Sequence, residues 1–398
     1  MLSEQSAAVV RATLPAVGAA IEDITGRFYE RMFAAHPELL RDLFNRGNQA
    51  AGVQRQALAG SIATFATYLV DRPDERPDVM LHRIAHKHAS VGIRPDQYPI
   101  VHEHLLAAIA EILGDAVTPE VARAWDEVYW LMANALIVLE KRLYEEQGVV
   151  DADVWREWEV VTRTEATPEV AAFVLRPADG RPAPAFRPGQ YVSVQVELPD
   201  GARQIRQYSL TGAPGADTRS IAVKRVTGSP DGEVSSQLHA HVREGARLRV
   251  SAPYGDLVLP PGEAPLLLAS AGIGCTPMLA MLEQLVATAH AGPVTVVHGD
   301  RSPASHALRT DHEALTRKLS DASAHFWYED LADGPASEAY RGGRVDLVDV
   351  PVAPGTRAFL CGPLPFMRAV RAQLLERGVA AADIHYEVFG PDLWLAAA

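Results

Sequence analysis

The spacing of apolar residues changes character near residue 148, so the chain must build more than one kind of core. Before that point apolar side chains recur at steps of three and four, as in Ile21, Ile24, Phe28 and Met32, and again in Leu58, Ile62, Phe65 and Leu69. This is the period of helices that bury one face. HPEL, DRPDERPD and RPDQYP punctuate the helices, and Pro119 suits the first turn of a last long helix expected to reach Tyr144. From Trp155 to about Pro261 the period falls to two in YVSVQVEL, SIAVKRV and ARLRVSAPYG, with Gly and Pro between the runs. That pattern predicts a small antiparallel barrel or sandwich. From Ala264 onward buried strands (PLLLASAGIG, PVTVVHGD, AHFWYED, RAFLCGP) alternate with helices (TPMLAMLEQLV and 366–377), the pattern of a parallel α/β sheet. Three domains are expected: 1–147 all-α, 155–262 antiparallel β and 263–398 α/β.

The 398 residues carry a net charge of −13, which argues against general affinity for nucleic acid or anionic membranes. Only two cysteines occur, Cys275 and Cys361, far apart in sequence. A disulfide framework or a cysteine-based metal cluster is therefore not expected, and a reducing cytoplasm suits the chain. The first residues lack a basic stretch followed by an apolar run, so neither a signal nor a transit peptide is expected. No apolar stretch is long enough to span a bilayer.

Residues 79–93, VMLHRIAHKHASVGI, place three histidines within seven positions. An (i, i+4) pair such as His82 and His86 could hold zinc, but at 100° per residue the three cannot converge on one ion. His88 shares a stripe with Leu81, Ile84 and Val91. His82 and His86 lie on another face, have no HExxH glutamate, and are expected at the surface. A buried imidazole needs partners. Residues 52–69 form another helical stripe of Gln54, Leu58, Ile62 and Phe65, and an earlier one carries Phe28, Tyr29, Met32 and Phe33. A helical domain with apolar walls, one inward histidine, and a Tyr and Gln able to turn inward is what a haem pocket needs.

At this point the chain resembles the flavohaemoglobin family. FYERMF (28–33), HPEL (36–39), NQ…QRQAL (48–58), IAHKH (84–88), QYPIVHEHLL (97–106) and ANALIVLE (133–140) carry the likeness, which continues through all 398 residues. The resemblance implies an all-α globin domain with His88 as the proximal iron ligand of haem b. It implies that Tyr29, Gln54 and Leu58 line the distal side, with Lys87, Tyr98 and Glu140 behind the proximal ligand. A carboxylate and a phenol near the free imidazole N–H would make that ligand more electron-donating.

The remainder resembles the ferredoxin-reductase-like family, implying an antiparallel β-barrel FAD domain followed by an α/β parallel-sheet NAD(P)-binding domain. FRPGQYVSV (186–194) precedes RQYSL (206–210). Arg206 and Gln207 open that signature; Arg206 supplies a cation for phosphate, Tyr208 a flat ring against the isoalloxazine, and Ser209 a hydroxyl near flavin N5. Tyr191 packs along the adenine–ribitol side. GEVSSQL (232–238), with Val234 and Ser235, offers N–H groups and a hydroxyl to the pyrophosphate. The turn Gly272, Ile273, Gly274, Cys275, Thr276 and Pro277 opens a helix after a buried strand, as a nucleotide phosphate requires. Cys361, Gly362 and Pro363 supply the second half of the nicotinamide site. HYEVFGP (385–391) places Glu387, Val388, Phe389, Gly390 and Pro391 by the flavin, with Phe389 covering the ring. The family often has Cys where this chain has Val388, a departure that bears on the tuning of hydride transfer.

The resemblance implies a nitric oxide dioxygenase. NAD(P)H reduces FAD, FAD reduces haem, and haem-bound O2 oxidises nitric oxide to nitrate. O2 and nitric oxide are the expected partners of a monomeric, cytoplasmic enzyme. The residues alone imply only a reducible haem wired to a pyridine nucleotide. A haem-based gas or redox sensor and a reductase releasing reduced oxygen species use the same parts. Arg301 and Ser302 could meet a 2′-phosphate, whereas Asp300 argues for NADH.

Overall fold

The computed structural model describes residues 2–331 and 339–392. Two compact units result. Residues 2–155, 195–206 and 390–392 belong to one, and the described residues of 156–194 and 207–389 to the other.

The first unit is helical: α1 (Glu4–Ala19), α2 (Ile21–Ala35), two short helices α3 (Pro37–Asp42) and α4 (Arg46–Ala50), α5 (Val53–Asp71), α6 (Asp78–Val91), α7 (Tyr98–Leu113) and α8 (Pro119–Gln147). α1 and α6 pack on α8, while α2 packs on α5 and α7. One apolar core unites them, built around Ile24, Phe28, Met32, Phe65, Leu105, Trp125 and Leu136. Ser3 caps α1 by accepting from Ser6 N at 3.3 Å, and its own N–H and hydroxyl donate to Glu127 on α8. Thr118 caps α8 ahead of Pro119, each such cap being worth about 1 kcal/mol. α8 runs three residues beyond the expected Tyr144, because Glu145, Glu146 and Gln147 are good helix formers and Gly148, at φ 66°, is the first residue suited to end it. Its flank locks the loop between α6 and α7: Tyr129 OH donates to Tyr98 O at 2.6 Å and Tyr144 OH to Ile93 O at 2.7 Å.

One surface assignment is corrected. His82 is exposed, but His86 is only 8% exposed. It belongs to a second buried stripe with Arg83 and Ser90, and Arg83 reaches Asp392 at 3.2 Å. Residues near the end of the chain thus lie over the face that the helix pattern left open.

In the second part of the chain β1 (Trp155–Thr167), β2 (Val170–Pro177), β3 (Tyr191–Glu197), β4 (Arg203–Ser209), β5 (Arg219–Lys224) and β6 (Arg247–Ser251) form a sheet in the order β4-β3-β6-β1-β2-β5, with α9 (Glu233–His241) between β5 and β6. β1 pairs antiparallel with β2 and slips register twice, between Val160 and Thr162 and between Glu165 and Thr167. Such bulges bend a strand. The sheet curls until Leu210, just past β4, bridges Ile221 of β5, joining the first and last strands.

The second sheet comprises β7 (Leu266–Ala271), β8 (Val294–Asp300), β9 (Ala322–Tyr328), β10 (Tyr340–Gly342), β11 (Arg357–Cys361) and β12 (Ile384–Glu387), with α10 (Cys275–Ala287), α11 (Arg309–Lys318) and α12 (Leu364–Glu376) between strands. Its order is β10-β9-β8-β7-β11-β12 with parallel pairing throughout. The chain builds outward from β7 in one direction, then returns to add β11 and β12 on the other side. Ligands of open α/β sheets bind at the strand ends flanking such a reversal, here β7 and β11.

Gly92 ends α6 at φ 79°, and a Cβ there would sit 2.7 Å from Ala152 O. Gly148, also left-handed (φ 66°), faces open space. Gly92→Ala is expected to cost about 2 kcal/mol or more and Gly148→Ala about 1 kcal/mol. Thermal unfolding followed by circular dichroism checks this; equal shifts would mean that the Ala152 contact relaxes freely.

Candidate functional site

In the helical unit His88 sits near the C-terminal end of α6, half-buried, with Nδ1 2.8 Å from Glu140 Oε1 and 3.1 Å from the Tyr98 hydroxyl. Tyr98 OH donates to the same Glu140 oxygen at 2.5 Å. Three helices supply the trio: α6 gives the imidazole, the first residue of α7 the phenol, and α8 the buried carboxyl group. Burial and the adjacent Glu140 push the Tyr98 hydroxyl far above its usual range, so it remains a donor. With Glu140 accepting from Nδ1–H, the His88 tautomer leaves Nε2 as a lone pair, which is what an iron ligand requires. Lys87 is half-buried about 100° round the helix from His88, and Ser90 Oγ donates to its carbonyl at 2.8 Å.

Tyr29, on α2, is buried with its ring 4.7 Å from that of Phe28, 5.5 Å from Phe33 and 5.9 Å from Phe44. Burial raises the pKa of its hydroxyl, while Gln49, Gln54 and Arg55 act in the opposite sense without overturning the effect. The phenol therefore stays neutral and able to donate. Gln54 and Leu58 lie one turn apart on α5 and are half-buried. Leu58, Tyr29, Tyr98 and Ile84 all belong to the same apolar cluster, which places the Tyr29 and His88 groups on the walls of one core.

Gln49 escaped the sequence reading as a site residue, although the NQ motif contains it. It is buried on α4, reaches toward the Tyr29 hydroxyl, and neither of its amide atoms attains hydrogen-bond geometry with a partner among the described residues. A five-residue helix shows no periodicity. The available signal was a polar side chain between the Asn45 cap and the left-handed Gly52 that redirects the chain into α5.

The RQYS segment occupies β4. Arg206 donates to the Ile205 carbonyl at 2.7 Å, Gln207 Nε2 donates to Ser193 Oγ at 3.0 Å, and Tyr208 is half-buried. Ser209 is buried and its hydroxyl has no partner among the described residues, an orphan that a flavin ring nitrogen could satisfy. Tyr191 exchanges both backbone hydrogen bonds with Tyr254, and its ring lies 3.0 Å from where a Cβ on Gly255 would stand. Val234 and Ser235 fall in the first turn of α9. Ser235 Oγ donates to Gly232 O at 3.1 Å and accepts from Val226 N at 3.1 Å. Its hydroxyl thus braces the loop, and the first-turn N–H groups remain the means of holding a phosphate.

At the sheet reversal, Gly272, Ile273 and Gly274 form a single tight turn before α10, which starts at Cys275 with Thr276 and Pro277 in its first turn. A Cβ on Gly274 would stand 2.3 Å from Cys361 O, and one on Gly362 would stand 3.0 Å from Ala271 N. The two segments singled out from sequence therefore touch backbone to backbone, with Pro363 capping α12 beside them. Burial pushes the Cys275 thiol up to about 12, so this cysteine is an inert packing group. Glu387 ends β12 opposite Cys361 and is buried, as is Val388. Phe389 is 47% exposed, and Gly390 and Pro391 follow it.

Family models match three successive stretches: Globin over 26–136, Oxidoreductase FAD-binding domain over 157–259 and Oxidoreductase NAD-binding domain over 268–372. The flavohemoprotein of Bordetella pertussis is 43% identical over 98% of this chain and 99% of its own length. The chain belongs to the flavohemoprotein family. The flavohemoprotein of Bacillus subtilis is 37% identical over 100% of this chain and 99% of its own. Among solved structures, a flavohemoglobin from Malassezia yamatoensis with bound FAD and heme matches at a TM-score of 0.89 and 39% identity, covering 98% of this chain and 100% of that one. The FAD/NAD-binding domain of a nitric oxide dioxygenase from Vibrio cholerae matches at 0.55 and 34%, covering 59% of this chain and 99% of that one.

Glu140→Gln tests whether the trio acts on iron. Losing the carboxylate weakens the electron donation of His88, so the haem potential of the loaded protein is expected to rise by several tens of millivolts, a tenfold bias being about 59 mV. Tyr98→Phe should shift it less. Equal potentials in a spectroelectrochemical titration would show that Glu140 does not tune the ligand.

Proposed function

We propose that the chain is an NAD(P)H-dependent nitric oxide dioxygenase, with residues 1–147, 155–262 and 263–398 carrying haem, FAD and nucleotide respectively. The observation that carries this reading is the pairing of an electron-rich proximal trio, His88–Glu140–Tyr98, with a buried donor group at Tyr29, Gln54 and Gln49 across one apolar core. Likeness to the Vibrio cholerae domain supports it. When bound, the nicotinamide supplies a hydride, the flavin divides it into single electrons, and haem iron supplies the one-electron oxygen chemistry.

The protein groups do the rest. His88 would hold the iron through Nε2, with Glu140 fixing its tautomer. The Tyr29 hydroxyl and the Gln54 amide present donors to the oxygen substrate, preorganised by burial so that little reorientation accompanies reaction. Leu58, Phe33 and Phe44 pack on the same apolar core, surroundings that suit a second diatomic molecule. Arg206 would supply a cation to a flavin phosphate, and the first turn of α9 would offer N–H groups to one. Ser209 and Glu387 would face the flavin ring, and the turn 272–277 with Cys361, Gly362 and Pro363 would hold the nicotinamide nucleotide.

Each nitric oxide joined to O2 needs one electron to become nitrate, and each nucleotide brings two. With haem and FAD loaded, about two nitrates are expected per nucleotide oxidised, and His88→Ala should abolish nitrate formation. Tyr29→Phe should lower turnover about 100-fold while nucleotide still reduces the flavin at the original rate. Rapid nucleotide oxidation with little nitrate and accumulating peroxide would overturn the reading in favour of an oxygen-reducing reductase.

A further inference from the structure

The second sheet holds a histidine group that none of the foregoing chemistry uses. His298 lies on β8, His306 in the loop that follows, and His312 on α11, and all three are buried. The rings of His298 and His306 stack at 3.8 Å, and His312 stands nearly perpendicular to both, 5.7 and 5.4 Å away. One ring nitrogen from each lies within 4.8 Å of the other two.

Their hydrogen bonds are incomplete. His298 Nδ1 meets Ser270 Oγ at 2.8 Å, His306 Nδ1 meets the Tyr328 hydroxyl at 2.9 Å, and His306 Nε2 meets His312 Nδ1 at 3.2 Å. His298 Nε2 and His312 Nε2 are buried with no hydrogen-bond partner among the described residues. A ring stack serving only as packing would be better made from apolar side chains, since each orphaned nitrogen loses its water without replacement. Burial lowers the pKa of all three imidazoles, His306 well below its ordinary value and His312 to about 3, while Asp300 partly opposes the shift at His298, so at neutral pH the three are uncharged. Neutral imidazoles with two Nδ1 atoms anchored by hydroxyl groups have the form of metal ligands supported from behind.

We propose that His298, His306 and His312 form a binding site for one zinc-class divalent transition ion in the nucleotide-binding sheet. Imidazole donors suit zinc, copper and nickel, and among these zinc takes the tetrahedral arrangement available here. Asp300 Oδ2 stands 3.6 Å from His298 Nε2, at the edge of the group. Donors around tetrahedral zinc stand about 3.3 Å apart, so imidazole nitrogens spread over as much as 4.8 Å must draw in by up to about 1.5 Å on binding. One ion cannot lie in the planes of two stacked rings, so His306 turns on binding and gives up its bond to His312. The ion would tie β8 to α11 across residues 301–308, a loop that carries Leu308 at φ 56° and contacts α10 through Cys275 Sγ and Ala307 O.

The test uses full-length protein carrying haem and FAD, freed of loose metal with a chelator and dialysed against zinc chloride. About one zinc per chain is expected by mass spectrometry, with histidine nitrogens at about 2.0 Å in zinc-edge X-ray absorption and a raised unfolding midpoint. His312→Val should lower zinc affinity by about 100-fold or more and remove the shift in midpoint, while intact haem and flavin spectra show that the variant has folded. His312→Gln, which keeps a polar side chain, serves if His312→Val does not fold. Equal zinc content in wild type and variant, no zinc retained by the wild type, or zinc bound without histidine nitrogens would overturn the proposal.

Discussion

A single buried oxygen, Glu140 Oε1, organises the helical unit. It accepts from Tyr98 and stands within hydrogen-bond reach of His88, so α6, α7 and α8 meet at one electrostatic point. Removing a carboxylate from water is costly, and converging donors offset that cost only when their backbones are fixed. The fixing is visible: Tyr129 and Tyr144 of α8 each bind a carbonyl at the ends of the α6–α7 loop, and Gly92 lets α6 stop against Ala152. His88 is thus held by three helices.

The two sheets place their functional segments by a different logic. In the parallel sheet, connectivity reverses between β7 and β11, and the glycines at 274 and 362 let two backbones close to distances that no side chain would allow. In the antiparallel sheet, the flavin signature runs along a strand whose end bridges β5, so its side chains sit on curved rather than flat backbone. Both arrangements use backbone geometry to set positions and side chains to set chemistry.

Much of this was legible in the sequence, and the failures have physical causes. The shift from a period near 3.6 to a period of two marked the change from helices to strands, because each period records a buried face. His88 stood out because it interrupted an apolar stripe. His86 was misplaced because it shares a buried stripe with Arg83, whose partner Asp392 lies some 300 positions away, and no local pattern encodes such a contact. Gln49 went unseen because a five-residue helix has no periodicity, and the bonds by which Ser235 braces its loop because a motif does not reveal which way a hydroxyl turns. His298, His306 and His312 come from a strand, a loop and a helix, so only folding brings their rings together.

The strand layout also governs how copies of this chain meet one another. The outer strands of the first sheet meet at the Leu210–Ile221 bridge, and the outermost strands of the second, β10 and β12, are three and four residues long. An unpaired edge is a template on which another chain can add a strand, and short edges are poor templates. The second sheet therefore offers crowding little exposed ladder on which to start a fibril, although six strands build it.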